Sequence, residues 1–165
     1  MKTSMTLFGC GPRLALLCLP YIILSLTIMI RYPEFLDLRF LDLTLLKVIG
    51  VIWLGMGLIF WGYSAVYFIK YFKPGTLLTK GPFAICRNPI YSSIIVFIIP
   101  ALGIIFHSGL TLSIALVLYI GFKISIHGET SVLRKIFGEE YDKYVKSVNE
   151  IIPLPGLIFR GTDNK

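Results

Sequence analysis

The chain has 165 residues, of which 56% are hydrophobic and 15% are charged, and its mean hydropathy is +0.80. A soluble domain of this length would need a far more polar surface, so the composition excludes a soluble globular protein and leaves no room for a separate soluble module. The net charge is +7, and the basic residues that produce it lie between the apolar runs and near the chain ends. This placement favours a role in membrane orientation, so we expect no nucleic-acid partner.

The apolar runs predict a single membrane domain over residues 1–165 with about four transmembrane helices, at 14–30, 48–69, 90–106 and 110–126. A bilayer core about 30 Å thick takes roughly 20 helical residues, so most of these runs are near the short limit. Flanking aromatic and basic side chains can reach the interface and cover the difference. We expect the first span to be retained, because it is too long for a signal peptide and no small-residue cleavage site follows Ile30.

The third and fourth runs are separated by only three residues, 107–109, which include Ser108 and Gly109, and so short a link predicts an antiparallel helical hairpin. Pro100 predicts a kink in the third helix. After the fourth run, apolar residues recur every three or four positions from Glu129 to Val148, which predicts an amphipathic helix at the membrane interface. The predicted fold class is therefore all-α, an integral membrane bundle with a C-terminal amphipathic helix.

The basic side chains predict the orientation of this bundle. The segment from Lys70 to Arg87 carries four basic and no acidic side chains, whereas residues 31–47 mix both signs. Lys and Arg dominate the orientation rule, so the Lys70–Arg87 segment is predicted to be cytoplasmic. An even number of spans then puts both termini on the cytoplasmic side as well.

Two polar clusters interrupt the apolar pattern, within residues 75–91 and 127–155. Because the predicted hairpin returns both clusters to the cytoplasmic face, we expect them to meet and form a site open to water and to lipid. The three cysteines have neither CxxC nor metal-ligand spacing, so we expect free thiols and no metal site; they are Cys10, Cys18 and Cys86.

The two clusters resemble the signature of the isoprenylcysteine carboxyl methyltransferases and the related phospholipid methyltransferases. That signature has a Gly-Pro-aromatic start, an Arg-His-Pro-x-Tyr segment, a helical hairpin, a Glu-Glu pair, then Phe-Gly-x-x-Tyr and a proline-terminated tail. The chain departs from it at Asn88, which replaces the histidine, and at Thr130, which replaces the second acid. It matches in order and spacing at Gly81, Pro82, Phe83, Arg87, Pro89, Tyr91, Glu129, Phe137, Gly138, Tyr141, Tyr144, Ile152 and Pro153.

The resemblance implies a membrane-embedded methyltransferase that uses S-adenosylmethionine. It implies catalytic roles for Arg87 and Glu129: Glu129 would accept hydrogen bonds from the ammonium or ribose of the cofactor, and Arg87 would hold an anionic group of the substrate. Asn88 and Tyr91 would donate to the carboxylate of the cofactor. The implied cofactor-binding residues are Gly81, Pro82, Phe83, Asn88, Tyr91, Glu129 and Tyr141.

Several alternatives stay open at this point. The acceptor implied first is a carboxylate on an isoprenylated cysteine, and a phospholipid amine is the second candidate. A membrane reductase that uses NADPH and a scaffold without activity are the other readings, and the oligomeric state is open. Each site residue also has a structural interpretation: Arg87 as a membrane anchor, Glu129 as a charge favoured by a helix dipole, Tyr91 as an interfacial aromatic, and Asn88 as a turn residue.

Overall fold

The computed structural model of the chain describes residues 9–38 and 44–154, so Pro155, the last residue of the predicted 127–155 segment, lies outside the described residues. Within them the chain forms helices and no strand beyond one isolated bridge. The helices are α1 (Gly11–Arg31), α2 (Thr44–Tyr71), α3 (Pro89–Ser92), a π-helical segment (Ser93–Ile98), α4 (Ile99–Ile105), α5 (Gly109–Phe137) and α6 (Glu139–Ser147), with a 3-10 turn at Gly81–Ala84.

Helices α1, α2 and α5 are long and apolar enough to cross a membrane. The continuous helical run Pro89–Ile105 is shorter, about 26 Å at 1.5 Å per residue, which is slightly less than the hydrocarbon core of a bilayer. Most large apolar side chains of α2 are exposed, which suits lipid contact and would be unfavourable in water. The predicted all-α membrane bundle is confirmed.

Helix α2 packs against the third span along one line of small residues. Gly50, Gly57 and Ser64 recur every seven residues and are buried. A Cβ at Gly57 would lie 2.6 Å from the Cβ of Phe97, so the absence of a side chain allows the two backbones to approach closely. This close approach fixes the position of the polar segment that precedes the third span.

The third span is irregular ahead of Pro100, where the sequence predicted a kink. Residues Ser93–Ile98 are π-helical, and the amide of Ile99 donates to the carbonyl of Ile94, five residues earlier. Proline has no amide hydrogen, so in an α-helix Pro100 would leave the carbonyl of Val96 without its usual donor. Instead, the indole Nε1 of Trp53 on α2 donates to this carbonyl at 3.1 Å.

Helices α1 and α5 run antiparallel in close contact. A Cβ at Gly121 would lie 2.5 Å from the Sγ of Cys18, so the helices meet across this glycine. Near one end of the pair, Thr111 Oγ1 lies 3.8 Å from Met29 Sδ; at the other end, the amide of Cys10 donates to Glu129 Oε2 at 2.9 Å. The N-terminal turn of α1 is thereby held beside the C-terminal half of α5.

The predicted amphipathic helix over Glu129 to Val148 is wrong in its bounds. Helix α5 continues without a break from Gly109 to Phe137, and a separate amphipathic helix, α6, follows. Gly138 interrupts the two with φ of +53°, a backbone conformation that disfavours a side chain. Arg134 Nε donates to Asp142 Oδ1 at 2.8 Å across this break. The apolar spacing persists on both sides of Gly138, which is why periodicity alone merged the two helices.

Candidate functional site

A cavity of about 450 Å³ opens at the end of the bundle where Cys10 meets Glu129. It lies between the loop before α3 and the C-terminal half of α5, and both polar clusters contribute to its walls. Its volume is within the range of about 300–1,000 Å³ that is usual for small-molecule sites. Six of the predicted site residues line it, namely Phe83, Arg87, Asn88, Tyr91, Glu129 and Tyr141.

Glu129 is held by the N-terminal turn of α1. Its Oε2 accepts the hydrogen bond from the amide of Cys10, and a Cβ at Gly9 would lie 2.8 Å from the same oxygen. Gly9 has φ of +47°, so this position favours glycine both for its backbone conformation and for its distance from the carboxylate. Burial raises the pKa of the neighbouring Cys10 thiol to about 11. Cys10 is therefore a neutral thiol next to the carboxylate at physiological pH.

Arg87 forms a long ion pair with the carboxylate of Glu150 in the C-terminal segment. Its Nη2 lies 3.9 Å from Glu150 Oε1, its side chain is 14% exposed, and Glu150 also pairs with Lys123. The Nε of Arg87 is buried and has no hydrogen-bond partner. A buried donor without a partner costs free energy, which a ligand with an acceptor oxygen would recover.

Asn88 is positioned by backbone contacts with the same C-terminal segment. Its backbone N–H and its side-chain Nδ2 both donate to the carbonyl oxygen of Glu150, each at 3.1 Å. The amide of Arg87 donates to the carbonyl of Asn149 at 2.8 Å. These bonds clamp residues 149–150 against the loop before α3. One of the two Nδ2 hydrogens of Asn88 is used in this way, so the second N–H and the amide oxygen are left for a ligand.

Part of the cavity lining is apolar and largely aromatic. The hydroxyl of Tyr144 donates to the carbonyl of Phe83 at 2.6 Å, and burial raises the pKa of Tyr144 above its ordinary value. This bond fixes α6 against the loop that carries the predicted Gly-Pro-Phe motif. The apolar wall itself is formed by Phe68, Phe72, Leu77, Leu78 and Phe83.

Gly81 and Pro82, two of the predicted cofactor-binding residues, do not line the cavity. Gly81 has φ of +61°, and a Cβ there would lie 2.5 Å from the ring of Tyr67 on α2. Pro82 is fully buried. Both residues belong to the turn Gly81–Ala84, which packs on α2. At Gly81 the positive φ and the close ring contact leave no space for a side chain.

The structure adds residues that the sequence pattern did not single out. Gly9, Cys10 and Arg13, all from the N-terminal turn of α1, line the cavity, and so does Ser125 of α5. Helix α1 lies outside the motif region, and no residue spacing in the sequence links it to Glu129, 119 residues away from Cys10. Among the described residues no group of three or more His, Cys, Asp or Glu side chains is placed to hold a metal ion.

Comparison with protein families places the chain among membrane methyltransferases. The protein-family model described as phospholipid methyltransferase matches residues 43–140, which is more than half of the chain. A comparison with curated proteins found no match, and a comparison with solved structures found none either. The match includes α2, the loop before α3, the helical hairpin and Glu129, and this is the part of the chain that builds most of the cavity. On this match and the bundle of apolar helices, the chain belongs to the phospholipid methyltransferase family.

Proposed function

We propose that the chain transfers a methyl group from S-adenosylmethionine to a lipid acceptor in this cavity. The observation that carries the proposal is the meeting of Arg87 and Glu129 in one cavity whose lining includes both charged and aromatic side chains. A charged cofactor needs polar partners, and a lipid acceptor needs apolar ones. The apolar lining includes Phe68 of α2, a helix long and apolar enough to cross a membrane.

The residues present fit the cofactor. Glu129 supplies acceptor oxygens for the ammonium or the ribose diol of the cofactor. Asn88 and Tyr91 line the same cavity and can add hydrogen bonds. When bound, the cofactor supplies an electrophilic methyl group on a sulfonium.

The protein's part in the reaction is orientation and exclusion of water. Transfer of a methyl group requires the acceptor's lone pair to approach the carbon in line, and fixing that approach supplies much of the acceleration. The aromatic wall removes water from the reacting atoms. Asn88 cannot take up a proton at neutral pH, so no imidazole base acts at this position. Of the described residues that line the cavity, Glu129 is the one carboxylate, and it is the group available to receive a proton from an acceptor.

Two acceptors fit the site. A carboxylate on an isoprenylated cysteine is supported by the sequence resemblance and by the unpartnered Arg87 Nε, which would bind an anion. An amine on a phospholipid is supported by Glu129, because a carboxylate attracts an ammonium, and by the description of the matching family. The basic Lys70–Arg87 segment favours a cytoplasmic position for the cavity and for both termini.

Titration of the purified protein in detergent with S-adenosylhomocysteine tests the cofactor assignment. Glu129→Ala should weaken binding at least tenfold, whereas Glu139→Ala, at an exposed position on α6, should leave it unchanged. Equal affinity of the Glu129→Ala variant and the unaltered protein would refute the role of Glu129. Thermal stabilisation by NADPH in place of S-adenosylhomocysteine would favour a reductase, and binding of neither would favour a scaffold.

The acceptor is tested separately with cofactor that carries a radiolabelled methyl group. Label should pass to a lipid extract, and then to one of two defined acceptors, an S-farnesylcysteine or phosphatidylethanolamine. We expect label on only one of these two acceptors. Label on both, or on neither, would contradict a site that is specific for one of them.

A further inference from the structure

The N-terminal turn of α1 forms one wall of the cavity although it lies outside residues 43–140, which carry the family match. Gly9 and Cys10 bind or approach Glu129, and Arg13, in the first turn of the helix, also lines the cavity. This wall is therefore a feature of this chain that the family match does not explain.

Arg13 is an exposed residue that also lines the cavity. No acidic side chain of residues 9–38 or 44–154 pairs with it, whereas Arg87, the other arginine of the cavity, is near Glu150. The amides at a helix N-terminus carry partial positive charge, so a cation in the first turn is electrostatically unfavourable. A bound anion would reverse that cost, because it would interact favourably with both the guanidinium and the helix end.

Ser125 gives an independent sign of a ligand in the same cavity. It is 3% exposed, lines the cavity, and its hydroxyl has no hydrogen-bond partner. Gly121, Ser125 and Glu129 are four residues apart on α5, and Gly121 and Glu129 both meet α1. Ser125 thus lies on the α5 face that packs against the N-terminal part of α1. Its hydroxyl can donate to an oxygen of a bound group.

We propose that Arg13 and Ser125 bind the phosphate of a phospholipid acceptor and direct its amine towards Glu129. The charges of the site then complement a zwitterionic headgroup, with Arg13 on the phosphate and Glu129 on the amine. The proposal rests on the methyl transfer proposed above and selects the phospholipid from the two acceptors. The ammonium of the headgroup first gives a proton to Glu129 or to water. The lone pair of the nitrogen would then form a bond to the methyl carbon while the carbon–sulfur bond breaks, and the electron pair of that bond would stay on the sulfur, which leaves as the neutral thioether S-adenosylhomocysteine.

The test compares two acceptors and three variants in detergent micelles. Phosphatidylethanolamine carries an amine and a phosphate, whereas a long-chain alkylamine carries the amine alone. Arg13→Gln should raise KM for phosphatidylethanolamine at least fivefold and leave KM for the alkylamine within twofold, and Ser125→Ala should act in the same direction. Arg31→Gln, an exposed arginine in the last turn of α1, is the matched control and should change neither value.

Two further measurements separate this proposal from the proposed function. Unchanged KM for phosphatidylethanolamine in Arg13→Gln would overturn the phosphate site and leave a membrane anchor only. Weaker binding of S-adenosylhomocysteine to this variant, with no change in KM for the phospholipid, would assign Arg13 to the carboxylate of the cofactor. The equilibrium binding of radiolabelled phosphatidylethanolamine can be measured without catalysis. If this binding depends on Arg13 but the protein does not bind S-adenosylhomocysteine, the methyltransferase assignment is wrong and the phosphate site is still supported.

Discussion

The amide of Cys10 donates a hydrogen bond to the carboxylate of Glu129 at 2.9 Å, and this bond ties the first helix to the residue on which the proposed cofactor site depends. It fixes one oxygen of Glu129 and leaves the other for a ligand. A bond between a backbone amide and a carboxylate is charge-assisted, so it can orient the side chain as well as stabilise it. Helix α1 is therefore part of the site as well as a membrane span.

Replacing Gly9 with alanine should disturb this bond. The new Cβ would lie 2.8 Å from Glu129 Oε2, and φ of +47° costs a residue with a side chain about 1–2 kcal/mol. We expect binding of S-adenosylhomocysteine to weaken severalfold, as measured by calorimetry in detergent. Gly55→Ala is the control, because no atom lies within 4 Å of a Cβ there. Equal losses in both variants would mean that Gly9 has no specific relation to the site.

A substitution at a residue that does not line the cavity should have a related effect. A Cβ at Gly121 would lie 2.5 Å from Cys18 Sγ and 3.1 Å from Leu14 Cδ1, so Gly121→Ala must push α1 away from α5. Overpacking of this kind costs about 1–3 kcal/mol. We expect a lower unfolding temperature together with weaker binding of S-adenosylhomocysteine, because Cys10 moves with α1. Loss of stability with unchanged binding would contradict the coupling, and Gly62→Ala, in open space, should change neither property.

The sequence predicted the fold because its main signals are local. Long apolar runs, a three-residue link and a C-terminal amphipathic stretch each indicate the structure of their own segment, and the four helical runs follow from them. It also predicted that Arg87 and Glu129 share one end of the bundle, because the hairpin returns the chain to the face it left. The break at Gly138 was missed, since a glycine inside a periodic pattern carries no fixed meaning.

The parts of the site that escaped prediction depend on contacts between distant segments. The Cys10–Glu129 bond joins residues 119 positions apart, and Glu150 is 62 positions from Asn88. Gly81 and Pro82 were predicted to bind cofactor because they belong to a motif, but the close contact of Gly81 with Tyr67 is visible only once α2 is placed. Tertiary contacts of this kind leave no periodic trace in one sequence.

Trp53 should stabilise the irregular third span through its hydrogen bond. Trp53→Phe removes the donor to the Val96 carbonyl and leaves the ring contact with Phe97 possible, so it isolates the bond. Hydrogen bonds between membrane helices contribute about 0.6 kcal/mol on average and up to about 2. We expect a measurable fall in unfolding temperature in detergent. Trp61→Phe, at an exposed site on α2, should have a smaller effect, and the reverse order would contradict the role given to Trp53.

The thiols outside the spans should make stability depend on pH above 9. Burial raises the pKa of Cys86 from 9.0 to about 11, and burial does the same for Cys10. Between these values the unfolded chain has already lost protons that the folded chain keeps, so the free energy of unfolding falls as pH rises from 9 to 11 and is unaffected by these thiols below 9. Cys86→Ala should flatten that part of the profile of unfolding temperature against pH. The same burial should keep Cys86 unreactive towards iodoacetamide at pH 8 in the folded protein, and rapid alkylation there would contradict the raised pKa.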